Sequence, residues 1–182
     1  MVTSPAVDLY VYAANIVDRY PDRDGDGTYD GDTLTIDQDF GCGLGRTTVG
    51  VRFALVDTPE LRGRHSRFWR ALIEEGFVTE PEVDAIADNA AGFIEAACPD
   101  GSPVLVRTHR DRNGKYGRLV AEVYAPAARV PDGGVFPGLD EEFRPDLDWE
   151  EFSAPVLEHQ GVEWLNLNYE LARLGLALRA WG

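Results

Sequence analysis

The sequence predicts an α+β fold: a small, partly closed five-stranded β-barrel with packed helices and an acidic insertion late in the chain. Three observations carry this. Short runs with period-2 alternation recur along the chain, as half-buried strands require. Two other stretches repeat apolar residues at helical spacing, one opened by a capping box and one closed by glycine. The order is three strands, a helix, a hairpin and a helix, which suits a barrel with helices laid on it.

Residues 7–18 are rich in Val, Tyr and Ala and read as the first strand. An acidic, turn-forming loop follows from Pro21. Thr33 to Asp37 is a second, short strand in which Leu34 and Ile36 alternate with polar residues. The glycines of 41–45 make a flexible turn. Thr47 to Val56 is the third strand, with Val49, Val51, Phe53 and Leu55 on one face, and Pro59 ends it. Ser66 to Glu75 forms a short helix stopped by Gly76. Thr79 opens a longer one: Glu82 stands three residues on, Pro81 sits in the permitted first turn, and Val83, Ile86, Ala90, Phe93, Ile94 and Ala97 make its apolar stripe. Pro103 to His109 and Tyr116 to Tyr124 flank the hairpin signal Asn113-Gly114. Residues 125–162, rich in proline and acids, read as a surface insertion or extended loop. A last helix from about Val162 to Leu174 is capped by Gly175.

The 182 residues suit one domain, 1–182, and 44% apolar residues make it globular rather than disordered. No apolar run approaches the roughly 20 residues of a membrane span, and Met1 to Ala14 lacks the pattern of a signal peptide. A cytoplasmic location follows as the expectation unless a leader was removed. Cys42 and Cys98 allow one disulfide without demanding it, and no Cys/His cluster has zinc spacing. The net charge of −15 argues against a nucleic-acid partner until its distribution is read. Residues 40–70 carry +4 and residues 104–124 carry +3, so an acidic shell surrounds two locally basic stretches.

Those two stretches, with the turn before the second strand, hold the candidate site. They are Asp30-Gly31-Asp32-Thr33, the run Val51-Arg52 through Asp57-Thr58-Pro59-Glu60, and Lys115-Tyr116-Gly117-Arg118 leading to Tyr124. Asp57 and Glu60 stand at a strand end halted by proline, where a carboxylate can be aimed into a cleft. Aspartates with nearby carbonyls suit a hard cation such as Ca²⁺. Arg52 lies within an apolar strand and needs an anionic partner or a phosphate. Two arginines, a metal and a carboxylate together describe phosphodiester cleavage.

In order and spacing, the motifs D-G-D-T, V-R-x-x-L-V-D-T-P-E and K-Y-G-R-L-V-A-x-V-Y, followed by Leu167-Asn168 through Gly175-Leu176-Ala177, resemble the staphylococcal nuclease family. The resemblance spans residues 7–60, 79–124 and 163–181. It implies a five-stranded OB-fold barrel and a Ca²⁺-dependent nuclease that cuts DNA and RNA with little sequence preference and leaves 3′-phosphates. Asp32 and Asp57 would ligate Ca²⁺ by carboxylate and Thr58 by its carbonyl. Glu60 would act as general base or orient water. Arg52 and Arg118 would bind the scissile phosphate, and Lys115 and Tyr116 would contact the neighbouring phosphate or sugar. The chain departs from the family pattern in a longer loop before Asp32, an expanded arginine-bearing stretch after Glu60, and the acidic insertion.

Other readings stand beside this one. The same barrel with a weak site would be a module binding nucleic acid or protein. The loop Asp22-x-Asp24-x-Asp26-Gly-Thr-x-Asp30 is a second calcium site, an arm preorganising the first, or an acidic turn; an EF-hand is excluded because Thr33 stands where glutamate is needed. A third reading, driven by that loop, makes the protein a calcium-stabilised structural module. Arg62, Arg64, Arg67 and Arg70, interleaved with Phe68 and Trp69, form either a nucleic-acid-facing stripe or a solvated helix face over core aromatics.

Overall fold

In the first strands, the alternation that marks them in the sequence is the alternation that fills the core. Leu34 and Ile36 of β2 (Thr33–Asp39) and Val51 and Phe53 of β3 (Arg46–Phe53) are all buried together, with Ala14 and Ile16 of β1 (Val11–Ile16) beside them. The computed structural model describes residues 11–16, 31–39, 46–61, 64–113, 119–140 and 154–180. Within them, β4 (Val56–Asp57), α1 (Arg67–Glu74), α2 (Glu80–Ala97), β5 (Pro103–Asn113), β6 (Leu119–Pro126), β7 (Val156–His159), β8 (Val162–Asn166), α3 (Leu167–Arg173) and β9 (Leu178–Arg179) complete a mixed α+β architecture.

Seven strands form one mostly antiparallel sheet in the order β3-β2-β1-β5-β6-β8-β7. β3 also pairs in parallel with β6 through Val51↔Leu119, Arg52↔Val120 and Phe53↔Ala121, so the first strand of that order touches the fifth. Inside the curve lie Val104, Val106, Ala121, Val123 and Ala125, against Val83, Ile86, Ala90, Phe93, Ile94 and Ala97 of α2. These α2 positions are the apolar stripe read from the sequence. Among the described residues no helix is long and apolar enough to cross a membrane.

The capping box of α2 forms: both the backbone N–H and the hydroxyl of Thr79 donate to Glu82 Oε2, at 2.8 and 2.7 Å. The Thr79 hydroxyl, then its backbone N–H, hold the Glu82 carboxyl below its ordinary 4.5. A depressed carboxylate stabilises the fold above its unfolded-state value, and that contribution disappears as pH falls through the folded one. Glu82→Gln is therefore expected to unfold at lower urea than wild type at pH 7, with the difference closing below pH 4.5; urea titrations at both pH values check it.

Three expectations are corrected. The third strand does not run unbroken to Val56. It breaks at Ala54-Leu55, where Leu55 takes φ +66, a left-handed conformation uncommon outside glycine. The last helix does not begin at Val162. Residues 162–166 are strand β8, paired with β7 across a two-residue turn in which Gln160 (φ +54) and Gly161 (φ +74) are both left-handed, as a type I′ turn demands. Nor is 125–162 simply a surface insertion. Residues 127–129 and 133–135 are 3₁₀ turns, and the following residues strap onto the helices. Phe136 packs edge-on against Phe93 at 6.1 Å, Asn89 donates to the Pro137 carbonyl, and Leu139 is buried. A Cβ at Gly138 would meet the Leu174 carbonyl oxygen at 2.3 Å, so only glycine allows this crossing.

A second, polar layer sits where α3 meets β6. Asn166 caps α3 by accepting from Tyr169 N–H and donates to the fully buried Glu122, which also receives the Tyr124 hydroxyl at 2.7 Å. Asn168 accepts from Val123 N–H and donates to the carbonyls of Ala54 and Ala121.

Candidate functional site

The candidate site grows from the pairing of β2 with β3. Thr33 stands opposite Arg52, and the Asp32 carbonyl accepts from Phe53 N–H at 2.7 Å, which brings the Asp32 and Arg52 side chains to one place. Gly31 sets the turn that delivers Asp32. A Cβ there would lie 2.8 Å from Ala90 of α2, so the turn rests directly on that helix. The break at Leu55 re-aims the chain, and β4 then pairs with β9 through Asp57↔Leu178.

One guanidinium spans two carboxylates. Arg52 Nη1 meets Asp32 Oδ1 at 2.8 Å and Nη2 meets Asp57 Oδ1 at 3.0 Å. Asp32 is fully buried and the Asp57 side chain is 12% exposed, so both negative charges lie in a poorly solvated place. The second oxygen of each carboxylate has its own donor. Asp32 Oδ2 accepts from Thr58 N–H at 3.0 Å, and Asp57 Oδ2 accepts from Ser66 Oγ at 2.5 Å. Thr33 Oγ1 adds a weaker bond to Asp32 at 3.3 Å. The Thr58 hydroxyl is buried without a hydrogen-bond partner.

Asp32, Arg52, Asp57 and Thr58 are thus brought together from three segments. Glu60 follows, half-buried, after Pro59. Arg118, Lys115 and Tyr116 lie outside the described residues, as do Asp22, Asp24, Asp26 and Asp30 of the acidic loop, Cys42, Arg62 and Trp181. Among the described residues no group of three or more His, Cys, Asp or Glu is arranged to hold a metal; two carboxylates and a backbone carbonyl do not make such a group. Cys98 is buried in the core.

Of the aromatics beyond Glu60, Trp69 is core: it is fully buried and donates its indole N–H to the Asp57 carbonyl at 3.0 Å, so it cannot serve as a stacking platform. Phe68 is half-buried under the Arg67 guanidinium, 4.7 Å from ring centre. Arg70 is turned inward, its Nε donating to the His65 carbonyl. Sequence reading missed Ser66 as a site neighbour. The signal present was a serine just before a helical run, which points to a cap rather than to Asp57.

Comparison of the chain with protein-family models and with curated proteins gives no match to either.

Proposed function

We propose that this protein is a Ca²⁺-dependent phosphodiesterase, a nuclease acting on DNA and RNA from a five-stranded OB-type barrel of the staphylococcal nuclease kind. The observation that carries this reading is the convergence of Asp32 and Asp57 on Arg52, with Thr58 bonded to Asp32. The barrel reading is supported by the ring of pairings β3–β2–β1–β5–β6 together with the parallel β3–β6 contact.

The residues fit the cation that the resemblance implies. Asp32 and Asp57 offer carboxylate oxygens and Thr58 a carbonyl, all hard donors of the kind Ca²⁺ prefers over softer metals. Bound there, the cation would neutralise charge building on the phosphate and lower the pKa of a nearby water. The chain's own groups do the rest. Asp57-Thr58 and Glu60 share one short segment halted by Pro59, so the acid that orients or deprotonates water is held close in sequence to the ligands. A guanidinium carries five donors, enough for two carboxylates and a phosphate oxygen at once, and lysine could not replace it. Arg118 is the residue before Leu119, which pairs with Val51 beside Arg52, and it supplies the second phosphate-binding guanidinium in this reading. Lys115 and Tyr116 extend the contact along the substrate. An anionic substrate entering an acidic protein gains little long-range steering, so binding rests on this local cluster.

Cleavage of labelled single-stranded DNA and of plasmid, in Ca²⁺ and in chelator, tests the reading. Glu60→Gln and Arg118→Ala are each expected to lower the rate by about 10²-fold or more while remaining folded. Folded wild type that cuts nothing in Ca²⁺ at low or high salt would sink it and leave a nucleic-acid- or protein-binding module.

A further inference from the structure

We propose that Ser66 and Trp69, on the segment inserted between Glu60 and α2, are positioning residues for Asp57, clamping it so that one carboxylate oxygen faces the site. The inference rests on the Ca²⁺-site reading above and names what fixes that site's second acid.

Ser66 is the N-cap residue of α1, yet its side chain makes no cap hydrogen bond. Serine is favoured at that position because its oxygen accepts from a backbone N–H of the first turn. Here the hydroxyl is spent on Asp57 Oδ2 instead, at 2.5 Å. One turn later Trp69 donates to the carbonyl of the same residue at 3.0 Å. Two side chains of one helix start therefore grip Asp57 at its carboxylate and at its backbone. The grip is itself braced. Trp69 is fully buried, the His65 carbonyl accepts from Arg70 Nε at 3.1 Å, and buried His65 reaches Asp84 of α2 at 3.2 Å through Nε2.

The consequence is geometric. An aspartate carboxylate turns about a broad, nearly twofold torsion. A single bond to one oxygen leaves that rotation available, whereas donors on both oxygens fix the plane. With Oδ2 taken by Ser66, Oδ1 is the oxygen left facing Arg52 and any cation there. Asp32 is held in the same way, Oδ2 on the Thr58 N–H and Oδ1 toward Arg52. The inserted segment thus does for Asp57 what the backbone does for Asp32. Partners of this outer kind commonly set metal affinity by 10- to 100-fold.

Calorimetric titration of Ca²⁺ into wild type, Ser66→Ala, Ser66→Thr and Trp69→Phe, with urea unfolding of each in chelator, tests the clamp. Ser66→Ala is expected to weaken Ca²⁺ binding about 10-fold and to unfold at somewhat lower urea in chelator, because Asp57 Oδ2 loses its donor, and Ser66→Thr to restore both. Trp69→Phe keeps an aromatic ring, loses the indole donor, and is expected to weaken binding in the same direction. Ser66→Ala binding Ca²⁺ as wild type does, or Ser66→Thr behaving as the alanine variant, overturns the clamp and leaves the nuclease reading untouched. Wild type that binds no Ca²⁺ overturns both. Wild type that binds Ca²⁺ but cuts no DNA overturns the nuclease alone, and the affinity series still decides the clamp.

Discussion

Replacing Arg52 with alanine is expected to lower the unfolding free energy in chelator by about 3 kcal/mol, the lower end of what breaking a buried ion pair costs. It is also expected to slow phosphodiester cleavage by at least about 10²-fold, as losing a transition-state donor does. The first effect follows from burial. Asp32 is fully buried and Asp57 nearly so, and the guanidinium between them is the charge that makes two neighbouring carboxylates tolerable. Without it they face one another in a medium that screens poorly. The second effect follows from the proposed role toward phosphate. A cation bound by the same two carboxylates is held more tightly where the like-charged guanidinium is gone, so saturating Ca²⁺ should narrow the stability gap between variant and wild type in proportion to the gain in affinity. Arg52→Lys recovers only part of either property, because one ammonium cannot span two carboxylates as a planar fork does. Urea unfolding followed by tryptophan fluorescence, in Ca²⁺ and in chelator, decides the point. An unchanged gap in the two conditions means that removing the guanidinium gains the cation nothing, which argues against its binding beside Arg52.

The geometry behind this prediction needs a break in a strand. Had β3 continued straight through residues 54–57, as its apolar alternation suggests, period 2 would have kept Leu55 and Asp57 on one face of the same strand. The left-handed Leu55 instead turns the chain, β4 pairs with β9, and the Asp57 carboxylate comes back toward Arg52 five residues earlier. Local strain of this kind is a recurrent feature where side chains converge. Asn168 touches this break directly, since it donates to the Ala54 carbonyl at the residue before Leu55.

Much of this was legible in the sequence, and for physical reasons. An arginine inside an apolar strand and aspartates beside proline and glycine are costly or conspicuous choices, so Asp32, Arg52 and Asp57 stood out before any contact was known, while Thr58 came only from the family resemblance. The α2 helix was legible because capping box, proline and apolar stripe agree. What stayed hidden depends on distant partners. The β7–β8 hairpin turns on Gln160-Gly161, and glutamine in a left-handed position carries none of the signal that asparagine would. Glu122 is a charged residue among apolar ones in β6, yet it is buried because Tyr124 and Asn166 reach it from positions no local pattern links. Ser66 read only as the start of a short helix. The strap at 136–139 hid behind acids that follow it in sequence.

Asn168→Ala is expected to destabilise the protein by about 4 kcal/mol, from two orphaned buried backbone groups at roughly 1–3 kcal/mol each plus lost bonds. Asn168 is fully buried on the first turn of α3 and ties β6 to the strand break at Ala54. Its amide oxygen accepts from Val123 N–H at 3.0 Å, and its amide nitrogen donates to the Ala54 and Ala121 carbonyls at 2.8 and 3.1 Å. Ala121 O keeps a partner without it, because Ala54 N–H also donates there at 2.7 Å. Val123 N–H and Ala54 O are the groups left exposed to the loss. Asparagine is the residue that can do this, offering an acceptor and two donors on one short side chain. Asn168→Asp keeps the acceptor but sets a carboxylate against two carbonyl oxygens, so it is expected to be at least as damaging as alanine despite its near-identical shape. Unfolding free energies from urea titration of the three proteins test the ranking. An aspartate variant as stable as wild type would mean that the amide does not face Ala54 and Ala121. Because one of those carbonyls sits at the strand break, the alanine variant is also expected to loosen Asp57 and weaken Ca²⁺ binding even where it remains folded, which calorimetry at low temperature would read directly.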